Sequence, residues 1–328
     1  MPSTPPLSIP SLIVALRETL LSAAATSKEL FKIMVPVLIG VKILQETGLV
    51  EYAAWPLRPL MAIVGLPPEM GLAWATALLN NMYGGAAVFF ALLGEHPMTQ
   101  AQATVLCTMM LVAHTLPVEL AIARKSGPKL PFQLLTRFFG ALTLGWLLHT
   151  CYDTFGLLQN PVTPLAMPHP GDQSIRLWAT GLAQTLLSIF CIIFALLVVM
   201  RILQRIGVLR VINTLLRPAL RFMGIGDTAS AITIVGLTLG ISYGGGLIIN
   251  EARAGTTTPR DIFFSLTFMG LCHSLIEDTL LMVVVGGHFS GIFWARLAFA
   301  LGAMTILVRV TALLPAAFCE RHLWGRPA

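Results

Sequence analysis

Long apolar runs separated by short polar segments dominate this chain. A membrane-spanning helix needs about 20 apolar residues, and eight runs approach or exceed this length, near residues 29–48, 71–93, 101–123, 133–157, 176–206, 229–249, 261–286 and 291–317. Two further segments, 50–64 and 208–223, mix apolar residues with arginine, and each contains an Arg-Pro pair that we expect to interrupt a helix. We predict that both lie at the membrane interface, and that residues 8–27 form another surface helix.

The second half of the chain repeats the first. The residues that recur with one spacing of 159 (202 − 43) are Ile43, Leu44, Gln45, Gly48, Leu57, Arg58, Pro59 and Gly65, matched by Ile202, Leu203, Gln204, Gly207, Leu216, Arg217, Pro218 and Gly224. Duplication inside an apolar chain is typical of transporters. We predict a first repeat over 1–158 with an N-terminal amphipathic helix, a Pro-rich linker over 159–174, and a second repeat over 175–328.

Composition indicates that the solvent of this protein is lipid. Hydrophobic residues make up 56% of the chain, charged residues 11%, and the mean hydropathy is +0.80, whereas soluble domains contain about 25% charged residues. The net charge of +6 comes from residues that border the apolar runs, which favours lipid contact over nucleic-acid binding. The five cysteines lack metal or redox spacing and are interpreted as packing residues. No cofactor is predicted.

Basic residues follow the first, third and fifth apolar runs, and these loops are predicted to be cytoplasmic; they include Lys42, Arg58, Arg124, Lys125, Lys129, Arg137, Arg201, Arg205, Arg210, Arg217 and Arg221. Four crossings in each repeat would make the two halves parallel, and the positions of Arg58 and Arg217 favour that arrangement. One re-entrant run in each half would instead invert them.

Glycine-rich segments occur at matched positions of the two repeats and predict broken helices. Unwound backbone at membrane depth survives only beside protein or a water-filled cavity, so paired breaks favour a solute site near the midplane. Close helix packing is the alternative explanation of the glycines. The predicted solute-binding residues are Asn80, Asn81, Tyr83, Gly84, Gly85, Ser242, Tyr243, Gly244, Gly245 and Asn250.

A second set of polar residues, His114, Glu119, His273, Glu277 and Asp278, lies in otherwise apolar helices. A carboxylate in hydrocarbon costs several kcal/mol, so these groups need partners. His273 and Glu277 would share a helix face, and a kink at Pro117 would bring His114 to Glu119. Three explanations stay open: solute binding with proton or cation coupling, static hydrogen bonding between helices, and a metal site. We adopt the first and assign no metal ligand and no catalytic residue. Arg296 is expected to pair with an acid or to snorkel towards an interface.

The repeated pattern resembles the nucleoside-recognition, or Gate, domain. It consists of a Leu-Arg-Pro segment, an Asn-Met-Tyr-Gly-Gly or Ser-Tyr-Gly-Gly break, and His-Thr-Leu-Pro-Val-Glu or His-Ser-Leu-Ile-Glu-Asp. Such domains are found in spore maturation proteins A and B, the membrane part of ferrous iron transporter B and concentrative nucleoside transporters. The resemblance covers about residues 30–125 and 190–288. It implies a bacterial inner-membrane protein with re-entrant elements but names no substrate.

We therefore expect an all-α, multi-pass membrane protein that is not an enzyme. It would act as a secondary transporter or permease for a small polar solute, coupled to protons or cations, with its site between the repeats. The alternative is a non-transporting membrane assembly or signalling component. Lipid is the expected surroundings, and symmetric halves are compatible with a monomer or a homodimer.

Overall fold

The computed structural model describes residues 9–164 and 175–325, and within them it contains helices and no β-strand, which confirms the all-α class. The α-helices are α1 (Ile9–Glu46), α2 (Val50–Ala54), α3 (Arg58–Ile63), α4 (Met70–Leu79), α5 (Met82–Leu93), α6 (Gln100–Val112), α7 (Leu116–Ser126), α8 (Leu130–Thr154), α9 (Ile175–Arg205), α10 (Val208–Phe222), α11 (Asp227–Leu239), α12 (Ile241–Ala254), α13 (Pro259–Cys272), α14 (Glu277–Val285), α15 (Arg296–Leu313) and α16 (Ala316–His322). A π-helical turn, Ser290–Ala295, leads into α15.

Several helices are long and apolar enough to cross a membrane, so the chain is a multi-pass membrane protein. In the described ranges four segments meet that standard: Gln100–Ser126, Trp178–Arg205, Pro259–Val285 and Ser290–Leu313. A fifth is added if Ile13–Glu46 and Val50–Ile63, which are bent by 117°, count as one span. This number is lower than the eight predicted, partly because residues 71–93 and 229–249 each fold as two short helices.

The first of these segments, α4 and α5, is a helical hairpin. A Cβ atom added to Gly85 would lie 2.8 Å from the Cβ of Ala77 and 3.0 Å from the carbonyl oxygen of Ala73. Residues eight apart in one continuous helix are about 12 Å apart, so the chain turns back between the two helices. The turn is at Asn80 and Asn81, and the Asn81 side-chain oxygen caps α5. The helix therefore breaks before the glycines, whose role at Gly85 is close packing.

The equivalent segment of the second repeat, α11 and α12, folds back in the same way. Ala229 near the start of α11 lines one small cavity together with Ile248 and Glu251 from the later turns of α12. The two helices are separated by Gly240, whose φ of +90° is a conformation that favours glycine. The predicted residues 242–245 follow this break inside α12, and their side chains lie outside the described part of the chain.

The two repeats are inverted relative to each other. Arg201, near the end of α9, donates a hydrogen bond of 3.0 Å to the carbonyl of Ala15, near the start of α1. Further along, Met34 of α1 and Ile189 of α9 belong to one buried hydrophobic cluster. These matching first helices are therefore antiparallel, and the predicted parallel arrangement is wrong. The physical reason is the hairpin, which replaces one crossing in each repeat and leaves an odd number.

Two predictions about local helix structure are also corrected. The surface helix expected over 8–27 is not separate, because α1 is one helix of 38 residues, about 57 Å long, that continues through Pro36. In the second repeat Arg217 and Pro218 lie inside the unbroken helix α10, whereas in the first the matching pair Arg58 and Pro59 begins the new helix α3. The Arg-Pro pair therefore interrupts a helix in the first repeat alone.

Candidate functional site

Six buried or largely buried side chains meet between the repeats, and we call them the two-histidine cluster. Its members are His114, Glu119 and Arg137 from the first repeat and His273, Asp278 and Arg296 from the second. Each residue has its counterpart 159 positions away (273 − 114, 278 − 119 and 296 − 137). The cluster therefore lies on the pseudo-twofold axis that relates the repeats.

A break in a membrane helix positions each histidine. Helix α6 ends before His114, and α13 ends before His273. The next residues, Thr115 and Ser274, both have a φ of +49°. This left-handed conformation costs roughly 1–2 kcal/mol for a residue with a side chain, and such strain persists where the surrounding structure enforces it. Both repeats therefore maintain the same strained turn next to a histidine.

Backbone hydrogen bonds fasten these turns to the hairpins. The N–H of Thr115 donates to the carbonyl of Ala77 in α4 at 2.9 Å. In the second repeat, the N–H of Leu275 donates to the carbonyl of Leu237 in α11 at 2.8 Å. Each helix break is thus held by the hairpin of its own repeat, so movement of a hairpin would move a histidine.

The two imidazole rings face each other in the protein interior. His114 is 5% exposed and His273 is 2% exposed, and their Nε2 atoms are 3.1 Å apart. The Nδ1 atom of His114 is 2.8 Å from the carbonyl oxygen of Met110, and that of His273 is 2.8 Å from the carbonyl oxygen of Met269. Because a carbonyl oxygen only accepts, both Nδ1 atoms carry a proton.

Two buried arginines satisfy the carbonyl groups that the helix breaks leave without partners. Arg137 donates from Nε to the carbonyl of Val112 at 3.1 Å and from Nη2 to that of His114 at 3.0 Å. Arg296 does the same in the second repeat, donating from Nε to Leu271 at 3.4 Å and from Nη2 to His273. Broken helix ends need such donors when they are buried.

The acids of the cluster are not equivalent. Arg137 Nη1 donates to Glu119 Oε2, while Glu119 Oε1 lies 3.2 Å from His273 Nε2 and 3.8 Å from His114 Nε2. Asp278, one methylene shorter, has its Oδ2 atom 3.8 Å from His114 Nε2. The Nη1 atom of Arg296 is buried and has no hydrogen-bond partner in the part of the chain that the structure describes. The twofold relation is broken at this atom.

The reasons that the sequence suggested for this convergence were partly wrong. His273 and Glu277 do not share a helix face, because α13 ends at Cys272, before His273, and α14 begins at Glu277. Glu277 is half-buried and has no ion pair among the described residues. His114 approaches Glu119 through the left-handed turn, whereas Pro117 lies in the first turn of α7. The acid that reaches the histidines from the second repeat is Asp278.

Sequence reasoning missed the arginines of the cluster. Arg137 was assigned to a cytoplasmic basic loop, but it is 3% exposed inside α8. Arg296 neither snorkels nor pairs with an acid among the described residues; it is 0% exposed and binds two carbonyls. The signal was present in the chain, since the two arginines are separated by the spacing of the repeat, 159 (296 − 137).

The predicted solute-binding residues of the first repeat lie in the hairpin of α4 and α5, whereas Asn250 of the second repeat lies far from the corresponding turn. Asn80 and Asn81 form the turn of the first hairpin, and the Nδ2 atom of Asn80 is buried without a partner among the described residues. Tyr83 is half-buried in the next helix, where Gly84 is buried. Asn250 is exposed, about 15 Å along α12 from the break at Gly240, and the structure does not bring it to this turn.

Comparison with known proteins locates the chain in a family. The profile of the Gate family, described as nucleoside recognition, matches residues 27–129 and again residues 186–289. The chain is 24% identical over 310 residues to the uncharacterized membrane protein YvoD of Bacillus subtilis (strain 168), covering 92% of each protein. No solved structure gives a significant match. Since the two matches span most of the sequence, one in each half, the chain belongs to the Gate family of nucleoside-recognition membrane proteins.

Proposed function

We propose that this protein is a secondary transporter or permease of the bacterial inner membrane that moves a small polar solute between its two repeats. The observation that supports this most strongly is the meeting of two strained helix breaks around a buried set of charges. Charged groups at membrane depth are expensive and usually mark a substrate or ion pathway. Inverted repeats with broken helices at matched positions are a common construction of secondary transporters.

Two buried donors suggest what the solute offers. Arg296 Nη1 and Asn80 Nδ2 have no partner among the described residues, and a buried donor without an acceptor costs about 1–3 kcal/mol. A solute that carries carbonyl, carboxylate or phosphate oxygens would supply the missing acceptors. Asn81 lies beside Asn80 in the hairpin turn and would help to orient such a group. We propose a solute of this kind, with the first hairpin and Arg296 as its contacts.

The unequal acids suggest how the solute site could alternate between the two sides of the membrane. In this structure the Arg137 pair with Glu119 is formed, and the matching pair of Arg296 with Asp278 is open. Transporters built from inverted repeats reach the opposite-facing state largely by rocking or gating of one repeat against the other around the site. In the opposite-facing state Arg296 would pair with Asp278, and a proton or cation bound at the histidines would balance the charge. Glu277, next to Asp278 in the chain, would take part in this coupling.

Thermal stabilisation followed by transport tests this function. The purified protein is heated with nucleosides, amino acids and organic acids, since a ligand at 100 times its dissociation constant adds about 2.7 kcal/mol. Uptake of a stabilising solute is then measured in proteoliposomes. Glu277→Gln and Asn80→Ala should each lower uptake at least about tenfold, whereas Asn250→Ala, with its exposed side chain, is the matched control and should not. Wild-type uptake by the well-folded Glu277→Gln and Asn80→Ala variants would refute the proposed site.

The alternative, a membrane assembly or signalling role, makes a different prediction. A scaffold needs its surface and tolerates neutral isosteres of buried acids, so Glu277→Gln would leave its partners and phenotype unchanged. Membership of the Gate family is associated with membrane transport or maturation rather than catalysis. No observation in the structure favours the scaffold over transport.

A further inference from the structure

The histidine pair has an unmet electrostatic requirement. Because both Nδ1 atoms donate to carbonyls, two neutral rings would direct two unprotonated Nε2 lone pairs at each other. Those atoms are only 3.1 Å apart and buried. A lone pair facing another lone pair is repulsive, so this arrangement requires a cation between the rings. We propose that the cation is a divalent first-row transition metal ion, such as Zn²⁺, bound by His114, His273 and Glu119 with Asp278 as the fourth ligand.

The ligand atoms have the spacing that such an ion needs. The Nε2 atoms of both histidines and one carboxylate oxygen of Glu119 all lie within 4.8 Å of one another. The three separations within this group are 3.1, 3.2 and 3.8 Å, and Asp278 Oδ2 lies 3.8 Å from His114 Nε2. Bonds of about 2.0–2.1 Å in a tetrahedron place the ligand atoms roughly 3.4 Å apart. An ion bound by His114, His273 and Glu119 would therefore need only small side-chain shifts, and Asp278 would move closer to complete the tetrahedron.

The surroundings of the ligands also match a metal site. A histidine that binds a metal through one ring nitrogen usually donates from the other nitrogen to a carbonyl or carboxylate, as both rings do here. Glu119 keeps Oε1 towards the histidines, because its Oε2 accepts from Arg137. Imidazole with carboxylate is the donor set of zinc, iron and manganese sites. The ligands are thus already oriented before an ion binds.

A shared proton is the competing cation, and geometry favours the metal. A proton on His273 Nε2 reaches His114 Nε2 at 3.1 Å and Glu119 Oε1 at 3.2 Å but not Asp278, whose Oδ2 lies 3.8 Å from His114 Nε2, whereas a metal ion can bind all four groups. The charges tolerate either cation. With all carboxyl groups ionised, Glu119, Glu277 and Asp278 outnumber Arg137 and Arg296, so neutral histidines leave this region with a net charge of −1 (2 − 3).

Metal titration of the full chain tests the site. Protein purified in detergent is stripped with a chelator and titrated with Co²⁺, whose visible bands are intense when the ion has four ligands. One saturable ion per chain is expected, and Zn²⁺ should displace it. His114→Ala and His273→Ala should each weaken Co²⁺ binding at least about 100-fold, because each removes a direct ligand where loss of an outer partner already costs 10–100-fold. His322→Ala, which removes an exposed histidine of α16, should leave binding unchanged.

A second measurement keeps the proposal testable if the alanine variants do not fold. X-ray absorption of the wild-type protein loaded with Zn²⁺ should show imidazole scattering and a nitrogen and oxygen shell at about 2.0–2.1 Å. A sulfur shell would instead assign the ion to cysteines such as the buried Cys272 and overturn the site. The absence of saturable binding would also overturn it, as would folded alanine variants that bind Co²⁺ with the affinity of the wild-type protein, and either result would leave a shared proton as the cation.

This inference extends the proposed function, because the ion would occupy the cation position of the two-histidine cluster, yet it is measured without transport. Absence of solute uptake by a wild-type protein that binds the metal would refute the transporter and leave the metal site. Uptake by a protein that binds no metal would do the reverse.

Discussion

Replacing Arg137 should leave the buried carboxylate of Glu119 without its ion-pair partner. Arg137 is 3% exposed and holds Glu119, which is 5% exposed, together with two carbonyl groups. Breaking a buried ion pair by deleting one partner costs about 3–5 kcal/mol, because the remaining charge is desolvated and unpaired. We expect Arg137→Met to lower the free energy of unfolding by at least this amount.

Neutralising the stranded acid should then restore part of the stability. The double variant Arg137→Met with Glu119→Gln removes both charges of this pair, so it should be more stable than Arg137→Met alone by roughly 2–3 kcal/mol. The free energy of unfolding can be followed by circular dichroism during reversible denaturation in mixed micelles of sodium dodecyl sulfate and a mild detergent. Arg309→Met, at an exposed position of α15, should stay within about 0.5 kcal/mol of wild type.

The second repeat provides the matched comparison. Arg296 donates to carbonyls but not to Asp278, so the same cycle of Arg296→Met with Asp278→Asn should give a coupling below about 1 kcal/mol. Two results would refute this reasoning: a double variant of Arg137 and Glu119 that is no more stable than Arg137→Met, or equal coupling energies in the two repeats. The first would mean that the Arg137 pair with Glu119 contributes no specific stability, and the second that Arg296 and Asp278 interact as strongly as that pair.

Three further predictions test the hairpin, the strained turn and the topology. Gly85→Ala should cost about 1–3 kcal/mol by overpacking α4, whereas Gly94→Ala, which meets nothing within 4 Å, should be nearly neutral; equal effects in the same denaturation assay would contradict the hairpin packing. Thr115→Gly should raise the free energy of unfolding by about 1 kcal/mol by relieving the left-handed strain, and a measured loss would show that its side chain holds the turn. Single cysteines replacing Arg58 and Arg217 in a cysteine-free protein should react with an impermeant maleimide from opposite faces of the membrane, and labelling from one face would restore the parallel arrangement.

The sequence predicted the membrane class and the matched polar positions because these depend on local composition. Apolar runs identify lipid-embedded helices without knowledge of their partners. Internal homology also pairs His114 with His273 before any contact is known. The direction in which a segment leaves the membrane is different, since a hairpin and a crossing have the same hydropathy. The sequence therefore predicted a helix break in the right segment, near Asn80 and Asn81, but counted the segment as a crossing when it is a hairpin.

The arginines show a second limit of sequence reasoning. Basic residues near the ends of apolar runs usually mark cytoplasmic loops, and Arg137 follows Arg124 and Lys125 closely enough to be grouped with them. The backbone carbonyls to which Arg137 donates lack partners within a helix only because α6 ends at this point. That break depends on a left-handed turn at Thr115, and nothing in the composition of the segment predicts left-handed backbone at a threonine.

The chemistry of the cluster follows from the geometry of a broken membrane helix. A helix that stops inside the protein exposes carbonyls that need donors, and in each repeat an arginine uses Nε and Nη2 to supply them. Its third nitrogen, Nη1, is then fixed beside the histidine at that break. In the first repeat this nitrogen, Arg137 Nη1, donates to Glu119. In the second, Arg296 Nη1 does not donate to the shorter Asp278. The need for donors at the broken helix ends therefore places two guanidinium groups at the axis between the repeats, and in the second repeat, where the acid is one methylene shorter, the Nη1 atom has no partner among the described residues.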